Sequence, residues 1–116
     1  MEHLIETREG WWWPKHDVAC WRYLSRRQDV PKNVSAYSEQ KRVVVQAGGN
    51  AGMYVRMYED IFDTVYTFEP DPLNFYCLTK HSSISIEFEF SKTKILLLMI
   101  TTYTQVVDDK CEAVIV

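Results

Sequence analysis

The hydrophobic positions of this chain change period along its length. After Asp17, whose carboxylate suits a helix N-cap, Val18, Trp21 and Leu24 recur at helical spacing and predict a helix that stops before Pro31. Residues 31–42 read as a connector with a short helical turn around Ser35 to Gln40. Val43-Val44-Val45 is an unbroken β-branched run, as expected of a strand buried on both faces. Gly48, Gly49 and Gly52 follow and permit a tight turn. Ala51, Val55, Tyr58 and Phe62 then return to helical spacing, and Asp63 ends that helix. Thr64 to Phe68 is a second β-branched and aromatic strand. Asp71-Pro72 starts a third helix, with an acid at the N-cap and proline at the first helical position, predicted to run to about Lys80.

Strand, helix, strand and helix joined by short connections predict a parallel βαβα unit over residues 43–80. Beyond His81 the pattern is different. Ile84, Ile86, Phe88 and Phe90 alternate with polar residues, which marks an edge or antiparallel strand with one wet face. A second strand is expected over Ile95 to Thr104 and a short last one over Ala113 to Val116. The fold class expected is therefore α/β: a partial Rossmann-like, doubly wound sheet with extra C-terminal strands, antiparallel in the alternating stretch. The chain reads as one domain, with an aromatic and helical lead-in (1–42), the βαβα unit (43–80) and the C-terminal strands (81–116).

Composition narrows the function classes. With 116 residues, 47% hydrophobic and 25% charged, the chain is long enough for one ordinary core. A formal net charge of -3 supplies no global field toward nucleic acid or an anionic membrane. Cys20, Cys77 and Cys111 form no Cys-x-x-Cys pair, which fits neither a disulfide framework nor a zinc site; no metal is expected. The N-terminal MEHLIETREG is polar and acidic, unlike a secretory signal, so a soluble cytoplasmic protein is expected.

The chemistry concentrates in residues 46–52 and 68–72. A strand, glycine turn and helix N-terminus present backbone N–H groups that favour an anionic or closely approaching ligand. Glu69 lies 21 residues after Gly48 at the end of the next strand. A carboxylate about 20 residues after such a turn offers two oxygens to ribose hydroxyls in doubly wound folds. A dinucleotide fingerprint fails, because Asn50 stands where its second glycine belongs, and no Gly-Lys-Ser/Thr of a P-loop follows.

The segment Gln46-Ala47-Gly48-Gly49-Asn50-Ala51-Gly52, followed by Phe68-Glu69-Pro70-Asp71-Pro72 and Asn74-Phe75, resembles the FkbM-like class I S-adenosylmethionine-dependent methyltransferases. Members carry Asp-x-Gly-Ala-Asn-x-Gly after a strand and Phe-Glu-Pro after the next. The resemblance implies S-adenosylmethionine as cofactor and, where active, methyl transfer to an oxygen of an acceptor it does not identify. It implies that Gly48, Gly49 and Gly52 pass close to the methionine part, that Asn50 shapes the loop, that Glu69 binds the ribose hydroxyls, and that Pro70 and Asp71 border the adenine. Gln46 replaces the leading acid of the motif; it can hydrogen-bond but supplies no negative charge. Members are usually much longer, so the resemblance implies a shortened protein that keeps the cofactor-binding half.

No catalytic residue is assigned. His16 and His81 read as surface histidines, Tyr58 as core, Glu87 and Glu89 as one solvated strand face, and Asp108 and Asp109 as a turn. Trp11-Trp12-Trp13 reads as cover for a small sheet or as a contact between two copies, with base stacking as the other reading. Three consecutive tryptophans cannot share one face of a strand, so at least one should be exposed unless a partner covers it. Two other readings stay open: a non-catalytic interaction module engaging a partner or a second copy through the aromatic N-terminus or a strand edge, and a small oligomeric enzyme acting on S-adenosylmethionine or another nucleotide.

Overall fold

The computed structural model describes residues 1–81 and the backbone of residues 113–115. Within them the chain is a small α/β protein. A 3-10 turn, Glu2–Leu4, leads into strands β1 (Ile5–Arg8) and β2 (Trp11–Pro14), helices α1 (Ala19–Arg26) and α2 (Val30–Ser35), strand β3 (Val43–Ala47), helix α3 (Met53–Glu59), strand β4 (Thr64–Phe68), helix α4 (Pro72–His81) and strand β5 (Ala113–Ile115). No helix among the described residues is long and apolar enough to cross a membrane.

The parallel unit forms where the periodicity places it. β3 and β4 run parallel, with Val43 opposite Thr64 and Ala47 opposite Phe68. β5 pairs with the other side of β3, again parallel, so the strand order is β4-β3-β5. The short last strand expected over Ala113 to Val116 thus forms over Ala113–Ile115, and it joins the sheet parallel to β3. Ala113-Val114-Ile115 is a continuous apolar run, the pattern of a strand inside a parallel sheet, rather than an alternating one. The alternating stretch from Ile84 to Phe90 and the strand expected over Ile95 to Thr104 lie outside the described residues.

The core gathers Val44, Ala51, Met53, Tyr58, Phe62 and Cys77 from the parallel unit with Ile5 and Trp13 from the N-terminus. Tyr58 is packed as its spacing implies, and burial pushes its hydroxyl up to about 12. Burial likewise pushes the Cys77 thiol up to about 11, which leaves it protonated and inert at neutral pH.

The N-terminus departs most from expectation. β1 and β2 form an antiparallel hairpin, Ile5 opposite Pro14 and Arg8 opposite Trp11. Its two-residue turn, Glu9-Gly10, has φ of 51° and 86°, the double positive φ that suits the twist of a tight hairpin. Glu at the first position is an unusual choice there, which hides the turn from sequence. None of the three tryptophans is exposed. Trp13 is fully buried, and Trp11 and Trp12 are half-covered by the chain's own α4, where the His81 ring meets Trp11 edge-on at 5.1 Å and the Lys80 ammonium sits 4.9 Å over the Trp12 ring. His81 is accordingly a half-buried contact residue rather than a surface histidine. The second helix also falls earlier than the turn expected around Ser35 to Gln40. Pro31 sits in its first turn, where its missing N–H costs nothing, so this proline starts a helix instead of merely ending the previous one.

Two glycines separate backbone strain from packing. Gly10 has φ 86° and open space where a Cβ would go; Gly52 has φ 97° and would place a Cβ 2.8 Å from the Leu78 Cα. Gly10→Ala should therefore cost about 1–2 kcal/mol from the left-handed backbone alone. Gly52→Ala should cost roughly 1–3 kcal/mol more from overpacking against α4. Urea unfolding of both variants checks this; equal losses would contradict the packing of the loop on α4.

Candidate functional site

The turn after β3 is tied to the end of β4. The N–H groups of Gly48 and Gly49 both donate to the Phe68 carbonyl, at 2.9 and 3.0 Å. The Asn50 N–H donates to Glu69 Oε2 at 2.6 Å. Ala51 N–H is taken by Asn50 Oδ1 and Gly52 N–H by the Gly49 carbonyl. Every backbone N–H from residue 48 to 52 therefore has an acceptor within the chain. The expectation of free N–H groups is corrected for the turn itself, whose donors at residues 48–52 are consumed in closing it. Left-handed φ values at Gly48 (85°), Asn50 (51°) and Gly52 (97°) produce this closed loop, and asparagine is among the side chains that tolerate that region.

The glycines consequently have different tasks. Gly49 and Gly52 face inward: a Cβ at Gly49 would lie 2.3 Å from Thr67 Oγ1 and 2.6 Å from Leu78 Cδ1, and one at Gly52 would strike the α4 backbone. Gly48 alone of the three faces open space. That space is a cleft of about 350 Å³ beside the carboxyl end of β3. Its floor is Gln46, Gly48, Gly49 and Asn50; α1 supplies one wall, with Ala19, Cys20, Tyr23 and Leu24, and α3 the other, with Met53 and Tyr54. The volume is within the range of about 300–1,000 Å³ usual for small-molecule sites.

The walls are fixed by polar contacts that sequence spacing does not reveal. The Tyr54 hydroxyl donates to the Arg27 carbonyl at 2.6 Å, tying α3 to the end of α1. At the other end of α1, Val18 occupies the N-cap position, and the Asp17 carboxylate just before it accepts the N–H groups of Cys20 and Trp21 in the first turn and also the indole N–H of Trp13 at 2.6 Å. Burial pushes the Asp17 carboxyl upward, but the Trp13, Cys20 and Trp21 donors and the nearby Arg8 outweigh it and hold it below its ordinary value.

Of the residues singled out from sequence, Gln46, Gly48, Gly49 and Asn50 meet at the cleft. Glu69 joins them from β4 through Asn50, while its Oε1 accepts the Asp71 N–H at 2.8 Å. Each carboxylate oxygen has spare acceptor capacity beyond the one backbone donor. Gly52 lies behind the turn. Pro70 and Asp71 are exposed and outside the cleft lining, and the Asp71 carboxylate is used in capping α4 through the N–H groups of Leu73 and Asn74. Sequence reasoning missed the α1 wall and Tyr54 altogether. Asp17 was the one signal of where α1 begins, and nothing local indicated which strand end it would flank.

Among the described residues, two buried side-chain polar atoms have no hydrogen-bond partner: Gln46 Oε1 and Thr67 Oγ1. Unpaired buried acceptors are uncommon and ask for a donor from water or a ligand. Gln46 is among the residues lining the cleft, while this oxygen itself is covered. Among the described residues no carboxylate, lysine, arginine or histidine lines the cleft, and no three His, Cys, Asp or Glu side chains converge as metal ligands would. The site suits an organic ligand held by apolar contact and a few hydrogen bonds. Comparisons with protein-family models, curated proteins and solved structures return no match.

The Asp17 contacts predict an acid limb of stability. Because its carboxyl is held low in the folded chain, its contribution is complete above the ordinary Asp range and disappears as pH falls through the folded value. Urea midpoints measured from about pH 6 down to about pH 3 should fall in the wild type, and that fall should be smaller in Asp17→Asn. An identical pH dependence in the two proteins would contradict the role given to this carboxylate.

Proposed function

We propose that the cleft beside β3 binds S-adenosylmethionine and that the protein is a methyltransferase-like cofactor-binding domain. The observation that carries this reading is the joining of the two linked motifs: the Gly48–Gly52 turn and Glu69 come from adjacent parallel strands and are bonded through Asn50, which together with Gly48 and Gly49 lines a cleft. Strand order adds support. β4 and β5 flank β3 on opposite sides, so the strand order reverses across β3, and ligands of doubly wound sheets bind at the carboxyl ends of strands where the order reverses. On this reading the described unit is the first part of a Rossmann-like sheet.

The chemistry of the turn favours a ligand without phosphate. With the N–H groups of residues 48–52 all engaged, a pyrophosphate would find no backbone donors in the turn, whereas ribose hydroxyls and an ammonium group ask for acceptors. Glu69 has acceptor capacity for ribose hydroxyls, and Tyr23, Leu24 and Met53 supply apolar surface. When bound, S-adenosylmethionine brings an electrophilic methyl group; these residues bind and orient it. Transfer to an acceptor oxygen further requires a base and an acceptor pocket, and neither is among the residues lining this cleft. The reading is therefore of binding first.

Calorimetry with S-adenosylmethionine and S-adenosylhomocysteine tests it. The wild type should bind both. Glu69→Ala should weaken binding tenfold or more, since hydrogen bonds to a charged acceptor contribute about 1.5–3 kcal/mol. Thermal melts should show the variant still folded. Absence of binding to either compound by the wild type would overturn the reading.

A further inference from the structure

The N-terminal hairpin touches both the helix that walls the cleft and the helix that backs the glycine turn. Trp13 reaches Asp17, just before α1, through its indole N–H and stacks edge-on against Trp21 at 5.1 Å. On its other side β2 lies along α4, whose Leu78 fills the space beneath Gly49 and Gly52. The hairpin is a strap joining these two helices.

Its fastening to α4 is of two kinds. Glu2, just before β1, pairs with Lys80 at 2.9 Å and accepts a hydrogen bond from the Tyr76 hydroxyl, while the Lys80 ammonium sits 4.9 Å over both the Trp12 and Tyr76 rings. The Tyr76 and Lys80 partners hold the Glu2 carboxyl below its ordinary value, so this group stays ionised in mildly acidic solution. The second fastening is His81. Its Nε2 lies 2.9 Å from the Trp12 nitrogen and 3.1 Å from the Trp12 oxygen. These are the outward-facing backbone groups of an edge strand. The neutral ring, with its proton on Nδ1, accepts the Trp12 N–H. A protonated ring has no lone pair there, so the Trp12 N–H loses its acceptor and the donor turns toward the carbonyl.

We propose that His81 is a pH-sensitive pin: its protonation loosens the aromatic hairpin from α4, while the Glu2–Lys80–Tyr76 fastening persists. The charged and titratable groups near this contact among the described residues are Lys80, Tyr76 and Cys77 on α4 and Glu2 and His3 in the 3-10 turn; β2 itself, Trp11 to Pro14, carries none. The nearest change of charge on acidification is therefore on an imidazole. Burial holds the folded His81 below its ordinary value, only partly offset by its contact with Trp12. The sign follows. The docked hairpin favours neutral His81, so docking is complete above about pH 6.5, the ordinary histidine value, and weakens as pH falls below it.

The test follows the imidazole C–H signals of His81 and the backbone amide of Trp12 by NMR between about pH 7.5 and about pH 5. Both should move with one midpoint below about 6.5, and the hydrogen-exchange protection of the Trp12 amide should fall about tenfold for each unit by which His81 is displaced. In His81→Gln, whose amide oxygen can still accept but does not titrate, Trp12 protection should be independent of pH over this range. A Trp12 amide that ignores the His81 titration in the wild type, or an identical loss of protection in His81→Gln, would overturn the proposal. The wild-type titration decides the matter even if the variant folds poorly.

Discussion

The hydrogen bond from the Asn50 N–H to Glu69 is the constraint on which the site depends. It joins the turn after β3 to the end of β4, beside the two bonds from Gly48 and Gly49 to the Phe68 carbonyl. Closing the turn this way requires left-handed backbone at three positions within residues 48–52, which two glycines and one asparagine supply. It also presses Gly49 and Gly52 onto Leu78, so α4 cannot pack as it does unless those positions lack a side chain. Strand pairing, loop shape and helix packing are thus one cooperative arrangement rather than three separate ones. Glu69 is the clamp of this arrangement and is bonded to Asn50, one of the residues lining the cleft.

The same closure decides what the cleft can hold. A glycine turn with idle N–H groups attracts phosphate; this one has spent its donors on Phe68, Glu69 and its own residues. What lines the cleft is the backbone of the glycine turn, the Gln46 and Asn50 residues and largely apolar walls. That inventory suits a nucleoside with hydroxyl and amine donors better than a dinucleotide. It is also chemically quiet. The exposed Cys20 and the Tyr23 and Tyr54 hydroxyls are the ionisable groups on the lining, and Tyr54 is committed to the Arg27 carbonyl, its hydroxyl held above the ordinary value mainly by burial.

Much of the parallel unit was legible in the residues because local and tertiary preferences agree there. Val43 to Val45, the glycines, the helical spacing from Ala51 to Phe62 and the Asp71-Pro72 start each point to the same element that forms. The N-terminal hairpin was not legible, because three tryptophans carry no period and Glu9-Gly10 is an atypical tight turn. Its stability comes from contacts far along the chain, Trp12 with His81 above all, and no local pattern encodes such a pairing. For the site, the floor residues were readable from their motif, while α1 and Tyr54 were not. They are brought to the cleft by Asp17, Trp13 and Arg27, none of which belongs to a glycine motif. The roles of individual glycines were also hidden: spacing alone does not distinguish one that faces a ligand from one that faces a leucine.

The most direct measurement is chemical-shift mapping of the isotopically labelled protein on addition of S-adenosylhomocysteine. Binding in the cleft beside β3 predicts that the amides of Gly48, Gly49 and Asn50 and the side-chain amide of Gln46 move together and saturate, with Gly10 at the far hairpin turn unaffected. An unchanged spectrum, or shifts centred away from residues 46–50, would contradict it.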